Sequence, residues 1–188
     1  MNIMIVGVGG QGTLLASRIL GAAAQAAGYK VKLSEVHGMS QRGGSVVTYV
    51  KYGNEVDSPV IEQGEADMII AFEELEAYRS LPYLKKDGVM IVNTQKTNPM
   101  PVITGAAKYP EGILDIFEKQ GVRFVACDAL ALAKEAGNVK SVNVALIGVM
   151  AQNSELDRSI WDAALEKAVP AKFLEVNQKA FELGYTHA

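Results

Sequence analysis

Apolar runs of strand length at 2–8, 30–36, 45–52, 66–72, 88–93 and 121–126 alternate with segments whose apolar residues recur at helical spacing. This alternation is the pattern of a sheet covered by helices. Between the first two runs, "TLLASRILGAAAQAAG" sets Leu14, Leu15, Ile19, Leu20, Ala23 and Ala27 on one helical face, and Gly28 stops the helix. Its many small residues allow close packing on a sheet. "EELEAYRSLPYL" and "DALALAKEA" read as later crossover helices. The run "SVVTYVKYG" follows the second strand after a Gly-containing loop too short for a helical crossover, so it is expected to pair antiparallel or to lie at an edge. From 139 onward the pattern turns helical, in "SVNVALIGVMAQ", "RSIWDAALEKAV" and "AKFLEVNQKAFELG", with Pro170 where the last of these would begin. The expectation is one α/β domain over 1–188, in three layers. Its sheet is mainly parallel with an antiparallel component, helices lie on both faces, and the C-terminal segment is helical.

Composition narrows the function. With 18 basic against 21 acidic residues the net charge is −3, and there is neither a basic run nor interleaved aromatics, so no nucleic-acid footprint is present. No apolar run approaches the ~20 residues that span a bilayer, and the N-terminus lacks a basic segment followed by a long apolar one. A cytoplasmic protein with no membrane partner is expected. The single cysteine, Cys127, excludes an intrachain disulfide and any multi-cysteine cluster built by this chain alone. Its flanks, "RFVACDAL", suggest an inert thiol at the end of a buried strand.

The first apolar run passes directly into Gly7-Val8-Gly9-Gly10-Gln11-Gly12 and then into a helix, which is the context that G-x-G-x-x-G requires. Glycine permits the tight turn and lets backbone N–H groups reach a phosphate, while the helix start near Thr13 aims its unsatisfied N–H groups at the same point. An anion site is expected there. The bland alternative is that the glycines only let strand and helix pack closely. Glu35, about twenty residues on, fits the ribose-binding acid of a dinucleotide site and equally an ordinary strand-end glutamate.

A second dense signal lies in "SEVHGMSQRGGSVVTYV", where His37, Ser40, Gln41 and Arg42 stand beside Gly38, Gly43 and Gly44. The loop is expected to leave the carboxyl end of the second strand next to the glycine turn of the first, so that two polar loops share one crevice. Arg42 offers a planar fork of donors suited to phosphate or carboxylate. His37 lacks a visible partner and reads as a hydrogen-bonded loop histidine.

"GVGGQG" and "EVHGMSQRGGSV" together resemble the gamma-type subunit or domain of the 2-oxoacid:ferredoxin oxidoreductases, and the "HGMSQRGG" form is similar to the indolepyruvate (aryl-pyruvate) branch. The resemblance runs end to end, with its specificity concentrated in residues 5–48. It implies a Rossmann-like α/β domain within a complex that decarboxylates an aryl pyruvate to an acyl-CoA while reducing ferredoxin. It also implies a large partner subunit that carries thiamine diphosphate, Mg and iron–sulfur clusters, with none of these held by this chain alone. In keeping with that, no thiamine-type G-D-G stretch is present. Coenzyme A is the implied ligand, faced by Gly7, Gly9, Gly10, Gln11 and Gly12 and by His37, Gly38, Ser40, Gln41, Arg42, Gly43 and Gly44. No catalytic residue or metal ligand is implied. Many relatives carry an aromatic and other polar residues where this chain has "HGMSQ", a departure that favours the aryl-pyruvate branch and leaves the geometry around CoA open. Two further readings stand beside it: a free-standing NAD(P)- or FAD-binding oxidoreductase domain, and a non-catalytic scaffold subunit.

Overall fold

A computed structural model describes residues 1–38 and 43–187. In chain order the elements are β1 (Asn2–Val8), α1 (Thr13–Ala26), β2 (Lys30–His37), β3 (Ser45–Gly53), β4 (Ala66–Ala71), α2 (Glu74–Ser80), β5 (Leu84–Asn93), α3 (Met100–Ile103), α4 (Ile113–Lys119), β6 (Phe124–Cys127), α5 (Ala129–Ala136), α6 (Val142–Gln152), α7 (Arg158–Ala168) and α8 (Leu174–Tyr185). The strands form one sheet in the order β2-β3-β1-β4-β5-β6. Pairings β1–β4, β4–β5 and β5–β6 are parallel, whereas β3 runs antiparallel to both β1 and β2.

The sheet separates two cores. On one face α1, α5, α6, α7 and α8 pack over Ile3, Ile5, Val50, Met68, Ile70 and Ile91. On the other, α2 and α4 cover Met4, Val6, Ile69, Ala71, Met90 and Val92. The central strands are therefore apolar on both sides, as parallel strands between helical layers must be. The α6–α8 contact depends on two glycines: a Cβ at Gly148 would collide with the Phe181 carbonyl, and one at Gly184 with the Ala145 carbonyl. No helix of the described residues is long and apolar enough to cross a membrane.

The segment 45–53 is antiparallel as expected but lies inside the sheet, and β2 takes the edge. The first and second strands are consequently separated by β3. Their carboxyl ends still point the same way, with His37 opposite Val46 and Val46 opposite Gly7. On α1 the buried face is Thr13, Ala16, Ser17, Ile19, Leu20, Ala23 and Ala24. Leu14, expected inside, is 43% exposed at the helix's open N-terminal end, and Ala27 falls outside the helix as its C-cap. The strands expected at 88–93 and 121–126 run over Leu84–Asn93 and Phe124–Cys127. Short helices α3 and α4 carry too few turns to show a clear period, and the pattern does not reveal them.

Candidate functional site: the glycine loop and its two clefts

β1 ends at Val8 and the chain turns through Gly9 to Gly12 into α1. The turn is tied down from three sides. Gly9 N–H donates to the Gly44 carbonyl at 2.8 Å, and Gly43 N–H returns to the Gly9 carbonyl at 3.4 Å, which prolongs the β1–β3 ladder past the strand ends. The Gln11 side chain folds back so that its Oε1 accepts from Val8 N–H at 2.7 Å and its Nε2 donates to the Phe72 carbonyl at 3.4 Å, linking β1 to the end of β4. From the far end of the sequence, Asn143 Nδ2 donates to the Gly12 carbonyl at 3.2 Å while Asn143 Oδ1 accepts from Val144 N–H.

Gly12 is the N-cap of α1 in the left-handed region, φ 86°, where a side chain would be strained and would also press on Asn143. Having no side chain, it cannot cap, and among the described residues no side chain caps the first turn of this 14-residue helix. At Gly10, φ 101°, none of the described residues comes within 4 Å of a Cβ position. Backbone donors and the positive end of the helix dipole thus meet at an accessible surface, the physical requirement of an anion site.

Two clefts flank this turn and share Gly10 and Gly12. The first, about 420 Å³, is lined by Thr13, Leu14, Glu35, His37 and Val46 besides the glycines. Glu35 accepts from Thr48 Oγ1 at 3.3 Å, and His37 Nδ1 lies 3.1 Å from the Gly38 carbonyl oxygen, a contact that requires the Nδ1–H tautomer. The second cleft, about 450 Å³, opens between the N-terminal ends of α1 and α6 and includes Phe72, Gln95, Lys140 and Asn143. Their charges differ: a carboxylate stands in the first, an ammonium in the second. A phosphate is favoured on the Lys140 side and a hydroxyl-bearing group on the Glu35 side.

Of the residues expected at the site, Gly9, Gly10, Gly12 and His37 line the first cleft and Gln11 lines the second. Gly7 lies within β1 against Gln11, and Gly43 and Gly44 spend backbone groups on Gly9. Gly38 contributes its carbonyl to His37. Ser40, Gln41 and Arg42 lie outside the described residues. Sequence reasoning misses Lys140, Asn143 and Gln95, since nothing local ties them to a loop 84 to 131 residues away.

A buried carboxylate network supports the same end of the sheet from the other face. Glu73 accepts from Glu76 N–H, Thr97 N–H and the Tyr109 hydroxyl, and Glu76 accepts from Ser45 Oγ at 2.5 Å and pairs with Arg79 at 2.6 Å. Burial, reinforced by Glu73, holds the Tyr109 phenol well above its ordinary pKa. These bonds anchor the start of β3, and with it the Gly43–Gly44 return. Cys127 ends β6 as a buried thiol, pushed up to about 12 by burial and by Asp128.

The family model for pyruvate ferredoxin/flavodoxin oxidoreductase matches residues 2–187. Among curated relatives, the indolepyruvate oxidoreductase subunit IorB of Thermococcus kodakarensis is 46% identical, over 97% of this chain and 93% of that one. The same-named subunit of Pyrococcus horikoshii is 47% identical over the same shares. Among solved structures, the keto/oxoacid ferredoxin oxidoreductase gamma subunit of Geobacter sulfurreducens superposes with TM-score 0.73 at 25% identity, covering 98% of this chain and 95% of that one. A 2-oxoglutarate:ferredoxin oxidoreductase from Magnetococcus marinus, solved with 2-oxoglutarate, coenzyme A and succinyl-CoA, matches at TM-score 0.71 and 19% identity over 98% of this chain and 30% of that longer one, a likeness of fold. The strand-turn-helix at Gly7–Gly12, the mixed sheet around it and a match along nearly the whole chain lead to one conclusion: the chain belongs to the pyruvate ferredoxin/flavodoxin oxidoreductase family.

Proposed function

We propose that this chain is the positioning subunit of an indolepyruvate-type 2-oxoacid:ferredoxin oxidoreductase, binding coenzyme A and closing the site of a larger subunit that carries the thiamine diphosphate, Mg and iron–sulfur clusters. The observation that carries the reading is the N-terminus of α1, without a side-chain cap among the described residues, at the Gly10–Gly12 turn, between a cleft with Lys140 and a cleft with Glu35. The high identity to subunits named for indolepyruvate oxidoreductase supports the substrate class. The chain's own groups do not fit a cluster, because its one thiol is buried and held protonated.

In this reading coenzyme A supplies the thiol that takes up the acyl group, and the chain's residues do the holding. The Gly12 and α1 first-turn N–H groups receive a phosphate oxygen, Lys140 offers a second contact at the α6 end, and Glu35 accepts from a sugar hydroxyl. Gln11 and Asn143 keep the turn in its receptive shape. Held at both ends, the ligand loses little further freedom at the moment of reaction, which is how positioning contributes to rate. Electrons reach ferredoxin through the partner.

Glu35 beside the glycine turn also favours a second reading, a dinucleotide site on a free-standing oxidoreductase domain. Calorimetric titration of coenzyme A and of NAD(P)H into the reconstituted complex and into the isolated chain separates the two. Saturable coenzyme A binding to the complex with no NAD(P)H binding is expected. NAD(P)H binding by the isolated chain, undisturbed by coenzyme A, overturns the proposal.

A further inference from the structure

The outer strand β2 carries a surface that the glycine-loop site does not use. Its second half, Glu35 and His37, faces the first cleft, while its first half, Lys30 to Leu33, borders a groove of about 420 Å³ between α1 and the end of α7. Gly21, Ala22, Val31 and Leu33 give that groove an apolar floor, and among the described residues Arg18 and Lys167 are its charged side chains, with no acidic residue lining it. In a chain of net charge −3 this is a local reversal.

The opposite face of the same strand carries the same sign of charge. Lys32 stands directly across from Lys51 in the β2–β3 ladder, a like-charge pairing that costs stability, and the nearby carboxylate of Glu65 is engaged by Lys51. Lysines on an edge strand commonly guard against stray pairing, yet this edge also exposes Leu33 to 41% and Val36 to 55%, one on each face, which a purely protective edge would not. One row of β2 backbone groups has no strand beside it among the described residues.

We infer that the Lys30–Leu33 half of β2 docks an extended segment that carries acidic residues on both of its faces and adds as a seventh strand. Its acids meet Arg18 and Lys167 on one face and Lys30 and Lys32 on the other. The occupant is a segment of the large cofactor-bearing subunit, so the inference rests on the function proposed above. Strand addition draws affinity from main-chain hydrogen bonds and selectivity from the flanking side chains. It would also brace the strand whose far end presents Glu35 and His37.

The test uses the full chain and the purified large subunit. Amide hydrogen exchange in β2 is expected to slow on complex formation. The double variants Lys30→Glu/Lys32→Glu and Arg18→Glu/Lys167→Glu are each expected to weaken binding at least tenfold at low salt, with Lys119→Glu/Lys134→Glu binding as wild type. The isolated Lys30→Glu/Lys32→Glu chain is expected to melt no lower than wild type, since the carboxylate introduced by Lys32→Glu would face Lys51; a loss of binding alongside retained stability separates docking from misfolding. Unchanged affinity in both β2-side double variants, or no protection of β2 in a complex that forms, overturns this inference alone. Failure of the wild-type chain to bind the large subunit overturns the proposed function with it. A wild-type dimer in sedimentation that Lys30→Glu/Lys32→Glu dissolves would assign the edge to a second copy, and the inference would be wrong.

Discussion

The central strands β1, β4 and β5 and the hairpin β2–β3 belong to one sheet but live in different solvents. β4 is almost wholly buried, and the Gly88–Asn93 stretch of β5 entirely so, between two helical layers. β3 alternates buried and half-exposed positions, and β2 is exposed or half-exposed throughout. The first region is held by apolar packing, and its buried Asn93 is accommodated by hydrogen bonds to the Phe72 carbonyl and from Ala129 N–H; the second is held by its ladder, which frees its side chains for other work. Glu35 and His37 therefore sit on the hairpin, while the central strands offer only their ends. Rigidity and chemistry are divided between the two halves, and the Gly9–Gly44 bond joins them.

Truncations of a buried and an exposed strand residue on the same face of the sheet test this division most strongly. Ile70→Ala in β4 removes a fully buried side chain and should cost about 2–5 kcal/mol, whereas Leu33→Ala in β2 should stay within about 0.5 kcal/mol; urea denaturation of each variant measures both. Comparable losses would break the comparison. A smaller effect is expected where the C-terminal helices meet the loop. Asn143→Ala deprives the Gly12 carbonyl and the Val144 N–H of their partner, at about 1–3 kcal/mol, and should weaken coenzyme A binding by the complex more than Asn153→Ala, which removes a carboxamide at the other end of α6.

A further effect, confined to alkaline conditions, comes from pH. Cys127 is raised from 9.0 to about 12, so the folded state favours the neutral thiol. Near neutral pH the thiol is protonated whether folded or not and contributes nothing. Above about pH 9 the unfolded chain releases its proton first, and stability falls until the folded pKa is passed. Denaturation midpoints between pH 8 and 11 should decline more steeply for wild type than for Cys127→Ala.

Where strand, turn and helix are contiguous, the sequence could be read directly. Gly7–Gly12 sits on one unbroken strand-turn-helix, and the apolar runs of β1, β4 and β5 mark strands covered on both sides. Strand order was beyond reach: the pattern of 45–53 signals antiparallel pairing but not that β3 slides between β1 and β2. Leu14 fits the helical period of α1, yet only the position of the helix end relative to the sheet shows that it looks into a cleft. Asn143 and Lys140 lie on the opening turns of what reads as a plain helical tail, and their part in the site exists only after α6 folds against α1. Glu73 and Glu76, which resemble ordinary first-turn acids, are buried because Tyr109, Thr97 and Ser45 come to them from other segments.

The central claim, that the glycine turn receives a phosphate of coenzyme A for a partner's reaction, is tested most directly at Gly10. Among the described residues nothing lies within 4 Å of its Cβ position, so Gly10→Val costs the fold mainly the strain of a β-branched residue at φ 101°, about 1–3 kcal/mol, while filling the space above the turn. Coenzyme A should be titrated into the reconstituted complex carrying wild-type or Gly10→Val chain. At least a tenfold loss of affinity in the variant, with complex assembly intact, is the predicted result. Equal affinity in the two complexes would contradict it.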